Sequence, residues 1–166
     1  MRVRGRITED FTNYKRPGLY VPCCYCDFKC CHDCAADKSM CQNSMAAEVP
    51  ITEIDDNDIM QAYSNSLIAK AVIFGGFEPF WQIDEIEQLL KKFRAEGIHA
   101  PFVIYTGYTE CEVMHLAARL FPYGDIIIKY GRYRPNEKEH MDDVLGVKLA
   151  SNNQYAKSYA LSEDNS

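Results

Sequence analysis

Seven of the chain's eight cysteines fall between Cys23 and Cys41, in the run Cys23-Cys24-Tyr25-Cys26-Asp27-Phe28-Lys29-Cys30-Cys31-His32-Asp33-Cys34 followed by Cys41-Gln42-Asn43. A segment this short cannot fold around several disulfides, and adjacent thiols such as Cys23-Cys24 and Cys30-Cys31 make an awkward framework for them. Thiols concentrated in this way read as one metal or iron–sulfur site. Crowded thiolates also oxidise readily when exposed, so a reduced, low-oxygen setting is expected.

The rest of the chain must then supply the scaffold. With 166 residues, 47% of them hydrophobic, it can bury one sizeable core. A single α/β domain over 1–161 is expected, ending in a polar tail at 162–166. The balance of 18 basic against 24 acidic residues, a net charge of −6, argues against a general grip on phosphate backbones, and no nucleic-acid partner is expected. No apolar run of 18 residues exists, and the start (Arg2, Arg4, Arg6, Glu9, Asp10) lacks the apolar core of a signal peptide. The expectation is a cytoplasmic protein with no membrane partner.

Along the chain, Gly18 to Pro22 reads as a strand that delivers the cysteine loop and stops at Pro22. The loop, about 23–50, has no apolar periodicity, as expected of a functional segment held by its ligand. Asp55-Asp56-Asn57-Asp58 caps a helix carrying Ile59 and Met60 and ending near Asn65-Ser66. Ala71 to Phe74 is an unbroken apolar run, a strand buried on both faces, stopping at Gly75-Gly76. From about Gln82 to Glu96, Ile83, Ile86, Leu89, Leu90 and Phe93 recur at helical spacing, with Gly97 closing the helix. Phe102 to Tyr105 is a second buried strand, and Thr109 with Glu112 has capping-box spacing for the helix that follows. Ile126 to Ile128 gives a third strand and Leu145 to Leu149 a weaker fourth. Strands alternating with helices predict a parallel sheet, whose ligands sit at the strands' carboxyl ends. Gly75, Thr106 and Tyr130 would therefore share one rim.

Cys26 and Cys30 are separated by three residues, and a third ligand can be Cys34 or Cys41. Cys41 is preferred because it follows the apolar Met40 and precedes Gln42-Asn43, whereas Cys34 follows Asp33. Zinc is the plainer alternative. Yet the knuckle-like pairs Cys23-x2-Cys26 and Cys31-x2-Cys34 stand much closer together than zinc-ribbon pairs do. Cys23, Cys24 and Cys31 are read as spare thiols and Cys111 as packing or surface. Gly75-Gly76 has no third glycine at dinucleotide spacing, and no phosphate-binding Gly-Lys-Ser/Thr loop occurs, so nucleotide hydrolysis is unsupported. Tyr105 and Tyr108 are read as rim packing, and Arg132 and Arg134 as a solvated loop.

In order, Cys26-x3-Cys30 with Cys41-Gln42-Asn43, Gly75-Gly76-Phe77-Glu78-Pro79, Tyr105-Thr106-Gly107-Tyr108-Thr109, Gly131-Arg132-Tyr133 and Ser151-Asn152-Asn153-Gln154 resemble the radical S-adenosylmethionine enzymes. More narrowly, they resemble the small activating proteins of anaerobic ribonucleoside-triphosphate reductase. The resemblance implies a partial parallel β/α barrel and a [4Fe–4S] cluster on Cys26, Cys30 and Cys41. It also implies S-adenosyl-L-methionine as cofactor, with Gly75, Gly76 and Glu78 facing its methionine part, since glycines admit close backbone approach and a carboxylate accepts from an ammonium. The implied partners are the large reductase subunit, activated through a glycyl radical, and an electron donor. The chain departs from the family's usual pattern twice, in the ten residues between Cys30 and Cys41 and in Phe77 between the glycines and Glu78. A non-catalytic cluster or zinc protein, for electron transfer or complex assembly, is the alternative.

Overall fold

Four apolar segments lie side by side and parallel, so that Leu19, Val72, Phe102 and Ile126 fall in one row across the sheet. The computed structural model describes residues 1–34 and 37–160; the polar tail expected at 162–166 lies outside them. In chain order the elements are β1 (Arg2–Arg4), β2 (Thr8–Asp10), β3 (Gly18–Cys23), α1 (Lys29–Asp33), β4 (Ile51–Glu53), α2 (Asp56–Asn65), β5 (Val72–Gly76), α3 (Ile83–Ala95), β6 (Phe102–Tyr105), α4 (Glu110–Ala117), β7 (Ile126–Tyr130), β8 (His140–Asp142), β9 (Val147–Leu149) and β10 (Tyr155–Tyr159). The main sheet runs β10-β7-β6-β5-β3-β2, with antiparallel β2 and β10 at the edges. Two small antiparallel pairs, β1-β4 and β8-β9, stand apart from it.

The twofold alternation of each strand divides the core. One face sends Leu19, Val21, Val72, Phe74, Phe102, Ile104, Ile126 and Ile128 into a cluster with Ile59 of α2, the apolar side of α3, and Val113 and Ala117 of α4. Phe93 of α3 meets Phe102 edge-on at 5.2 Å between ring centres. The opposite face carries Ile73, Val103, Ile127 and Ala156 and is covered by Tyr14, Leu145 and Leu149 rather than by a helix. That one-sided layering leaves room on the second face, above those residues, for a cavity at the strands' carboxyl ends.

Local sequence explains the helices. In α3 the acids Asp84 and Glu85 occupy the first turn and Lys92 and Arg94 the last, complementing the helix dipole. Gly97, at φ +71°, closes the helix by donating to the Arg94 carbonyl at 3.0 Å. Asp55 caps α2 by accepting from the Asn57 N–H at 2.7 Å.

Three expectations need correction. Pro22 does not end β3, which continues to Cys23. β2 pairs only with residues 18–20, so on that side no partner requires the N–H that Pro22 lacks. Leu145–Leu149 is not a further strand of the parallel sheet. Only Val147–Leu149 is extended, it pairs with β8, and β3 is the fourth parallel strand. Finally, the cysteine loop contains α1 and two short 3-10 turns, Lys38–Met40 and Ser44–Glu48.

Candidate metal centre

The carboxyl ends of β3, β5, β6 and β7 form one rim, and the cysteine loop is fastened to it at both ends. At its start Phe77 N–H donates to Cys23 O at 3.4 Å and Glu78 N–H to Tyr25 O at 2.8 Å. The Cys24 N–H donates to the buried Gln82 side chain at 2.7 Å. At its end the Asn43 side-chain amide donates to Gly76 O. Between these points α1 is tied down by charge. Tyr108 Oη donates to Asp27 Oδ2 at 2.7 Å, Lys29 pairs with Glu112, and Arg132 grips both carboxylate oxygens of Glu112 at 2.9 and 2.6 Å. Arg132 Nε also lies 2.7 Å from Asp33 Oδ2. Arg132, read from sequence as solvated, is instead 12% exposed and is the hub of this latch. Its guanidinium holds the Glu112 carboxyl well below the usual carboxylate range.

The latch places Cys26, Cys30 and Cys41, all partly buried, around a cavity of about 410 Å³. Phe28, at φ +56° and edge-on to Phe77 at 5.7 Å, turns the chain between Cys26 and Cys30, and its N–H donates to Cys26 Sγ at 3.2 Å. The neighbouring Cys30 and Cys41 thiols act on each other, pushing Cys30 up and bringing Cys41 down to about 6. Burial pushes Cys26 up to about 11. The Cys30–Cys41 pair therefore gives up its first proton more readily than an isolated thiol does. Cys31 and the exposed Cys34 also line the cavity, and Cys31 Sγ lies 4.0 Å from Cys30 Sγ. Cys23 and Cys24 are buried in the fold and Cys111 is exposed on α4.

Gly75, Gly76 and Glu78 lie on the same cavity. A side chain at Gly75 would meet the Tyr20 hydroxyl at 3.0 Å, and Gly76 has φ +82°, so glycine at both keeps the rim narrow and its backbone open. Glu78 is 5% exposed and its carboxylate is already engaged. Oε1 accepts from Thr106 Oγ1 at 2.7 Å and Phe80 N–H at 3.1 Å, and Oε2 from Gly107 N–H at 2.9 Å. Burial pushes it up to about 7 despite these donors. It joins the ends of β5 and β6 from below the cavity, which leaves little of the carboxylate free for a ligand.

Sequence reasoning passed over Lys129. It sits at the end of β7 on the cavity face, is 7% exposed, and donates from Nζ to Gly131 O at 2.8 Å. Its signal was a charge closing the apolar run Ile126-Ile127-Ile128.

The donors around this cavity are thiols, the ligand chemistry of iron–sulfur clusters. Among the described residues, no three His, Cys, Asp or Glu side chains gather as they would around a single metal ion. A tetrahedral zinc site needs four donors about 2.0–2.3 Å from one point, whereas a four-iron cage is held by thiolates spread around it. Residues 15–156 match the family model of the 4Fe-4S single cluster domain, so the chain belongs to that family and is an iron–sulfur protein. No curated protein and no solved structure matches the chain. Among the described residues, no helix is long and apolar enough to cross a membrane.

Proposed function

We propose that the chain is a radical S-adenosylmethionine activase acting on the large subunit of an anaerobic ribonucleotide reductase. The supporting observation is that Cys26, Cys30 and Cys41 open onto the same cavity as the side-chain-free rim of Gly75, Gly76 and Gly107. A cluster on three thiols leaves one iron free to bind a small molecule, and the glycines let that molecule approach the backbone. Cys26, Cys30 and Cys41 would hold the cluster, which when bound and reduced would supply the electron for cleaving a carbon–sulfur bond of S-adenosylmethionine, the released fragment then serving to take a hydrogen atom from a glycine of the reductase.

On this reading the chain's own residues bind and position. Asn43, Gln82 and the Arg132–Glu112 pair hold the loop against the rim. Glu78 fixes the turns after β5 and β6 at a set spacing. Tyr20 and Tyr105 wall the cavity. The main sheet is then the wall of a partial β/α barrel with its helices outside, and the unhelical face receives the glycine loop of the partner. A separate electron donor reduces the cluster, in a cytoplasmic setting.

The test is anaerobic reconstitution. Protein carrying four irons should, once reduced, convert S-adenosylmethionine to 5′-deoxyadenosine, and with the large reductase subunit present a glycyl radical should appear in the electron paramagnetic resonance spectrum. A full cluster that yields no 5′-deoxyadenosine would sink the reading. A second reading, a non-catalytic electron carrier, is favoured by Cys31 and Cys34 on the same cavity, either of which can close the fourth iron. A spectrum that does not respond to S-adenosylmethionine would then be expected.

A further inference from the structure

Lys129 is the one charged side chain on the inner face of the four parallel strands. It follows Ile127 on that face of β7, two residues before the rim, and its backbone carbonyl accepts from Thr106 N–H at 2.9 Å. The side chain is 7% exposed, and among the described residues Nζ has one partner, the Gly131 carbonyl at 2.8 Å. An ammonium has three donors, so two remain to face the cavity. Among the described residues no carboxylate lies within ion-pair distance of Nζ, and Glu78 on the same cavity is bound to Thr106, Phe80 and Gly107. Cavity acids and thiols nevertheless act on it, for Glu78 and Cys30 both oppose the effect of burial on its charge.

A buried cation without a counter-ion is unfavourable, so the fold retains it against a penalty. The cysteines on the same cavity supply a source of negative charge. Three thiolates on a four-iron cluster give that centre a net negative charge, and Cys26, Cys30 and Cys41 line the cavity that Lys129 lines.

We infer that Lys129 is the built-in counter-charge of the cluster and sets its reduction potential. Reduction adds one electron to an already anionic centre, and a fixed ammonium in a poorly solvated cavity lowers the cost of that addition. No bond is made or broken, and no proton is required. The inference rests on the family's iron–sulfur assignment and on the cysteine placement, and stands whether or not S-adenosylmethionine is cleaved.

The experiment is a redox titration of anaerobically reconstituted protein, followed by electron paramagnetic resonance, on wild type, Lys129→Met and Lys129→Arg with iron content matched. Lys129→Met should shift the midpoint to more negative potential by at least about 59 mV, the one-electron equivalent of a tenfold change in equilibrium. Lys129→Arg should stay near wild type. Loss of iron from the Met variant with retention in the Arg variant would support the same charge requirement. Loss from both would overturn it, since shape rather than charge would then be needed. An unmoved potential in Lys129→Met would also overturn it, and if S-adenosylmethionine bound more weakly there, the ammonium would belong to that molecule's carboxylate.

Discussion

Cys41 owes its low pKa to a neighbour. The adjacent Cys30 thiol favours its thiolate, so in cluster-free, reduced protein alkylation of the Cys30–Cys41 pair should rise with an apparent midpoint near pH 6, read by mass spectrometry of the modified peptides. Cys30→Ala should move that midpoint upward. For the cluster itself, Cys26→Ala, Cys30→Ala and Cys41→Ala should each abolish the four-iron signal after reconstitution, while Cys34→Ala and Cys111→Ala retain it; loss with Cys34→Ala and retention with Cys41→Ala would reverse the ligand choice. Glu78 gives a pH dependence of opposite sense to the usual carboxylate. Its folded pKa is raised to about 7, so its contribution to stability is complete below about pH 4.5 and is lost as pH climbs through 7. Denaturant unfolding of cluster-free protein should therefore show stability falling by up to about 3 kcal/mol across this window, and Glu78→Gln should flatten the slope. Lys129, lowered only to about 8, stays charged in both states over most of that range and adds little to the slope.

At the scale of elements, Glu112 serves two structures at once. Its carboxylate accepts from Thr109 N–H at 2.8 Å, closing the capping box of α4, and it also binds Lys29 of α1 and Arg132 beyond β7. The box was legible as Thr109-x2-Glu112. The latch was not, because Lys29, Glu112 and Arg132 are far apart in sequence and come together only where α1, the first turn of α4 and the segment after β7 meet at the rim. Glu112→Gln keeps the reach to Thr109 but removes the charge that the latch needs. Amide exchange over residues 27–33 should quicken in the cluster-free variant, with global stability lowered by only about 1 kcal/mol, since the pairs are partly solvated. Unchanged exchange there would show that the loop is held by its backbone bonds alone. The edge strand β10 escaped sequence reading for a related reason. Tyr155-Ala156-Lys157-Ser158-Tyr159 carries few apolar residues because one side of an edge strand has no neighbour, and its order comes from pairing with β7 and from Tyr159 stacking on Phe121 at 4.0 Å.

Across the whole molecule, the helix-covered face bears the load of folding. Phe93 is fully buried between Tyr63 and Phe102, so Phe93→Ala should cost about 3–5 kcal/mol, measurable as a lowered unfolding midpoint, while a cluster reconstituted below that midpoint keeps its spectrum. The opposite face, without a helix, leaves the cavity open at the rim, and function and stability are thereby divided between the two sides of one sheet. What the sequence determined by itself is what depends on neighbours along the chain: the crowded thiols, the buried strands ending at Gly75, Thr106 and Tyr130, the α3 stripe and the α4 cap. Tertiary structure alone decided which thiols face one cavity, that Glu78 is occupied by Thr106 and Gly107, and that Lys129 stands beside the thiols with no carboxylate partner among the described residues. Those outcomes depend on distances between segments dozens of residues apart, which periodicity and spacing do not encode and which only the parallel register of β5, β6 and β7 brings into being.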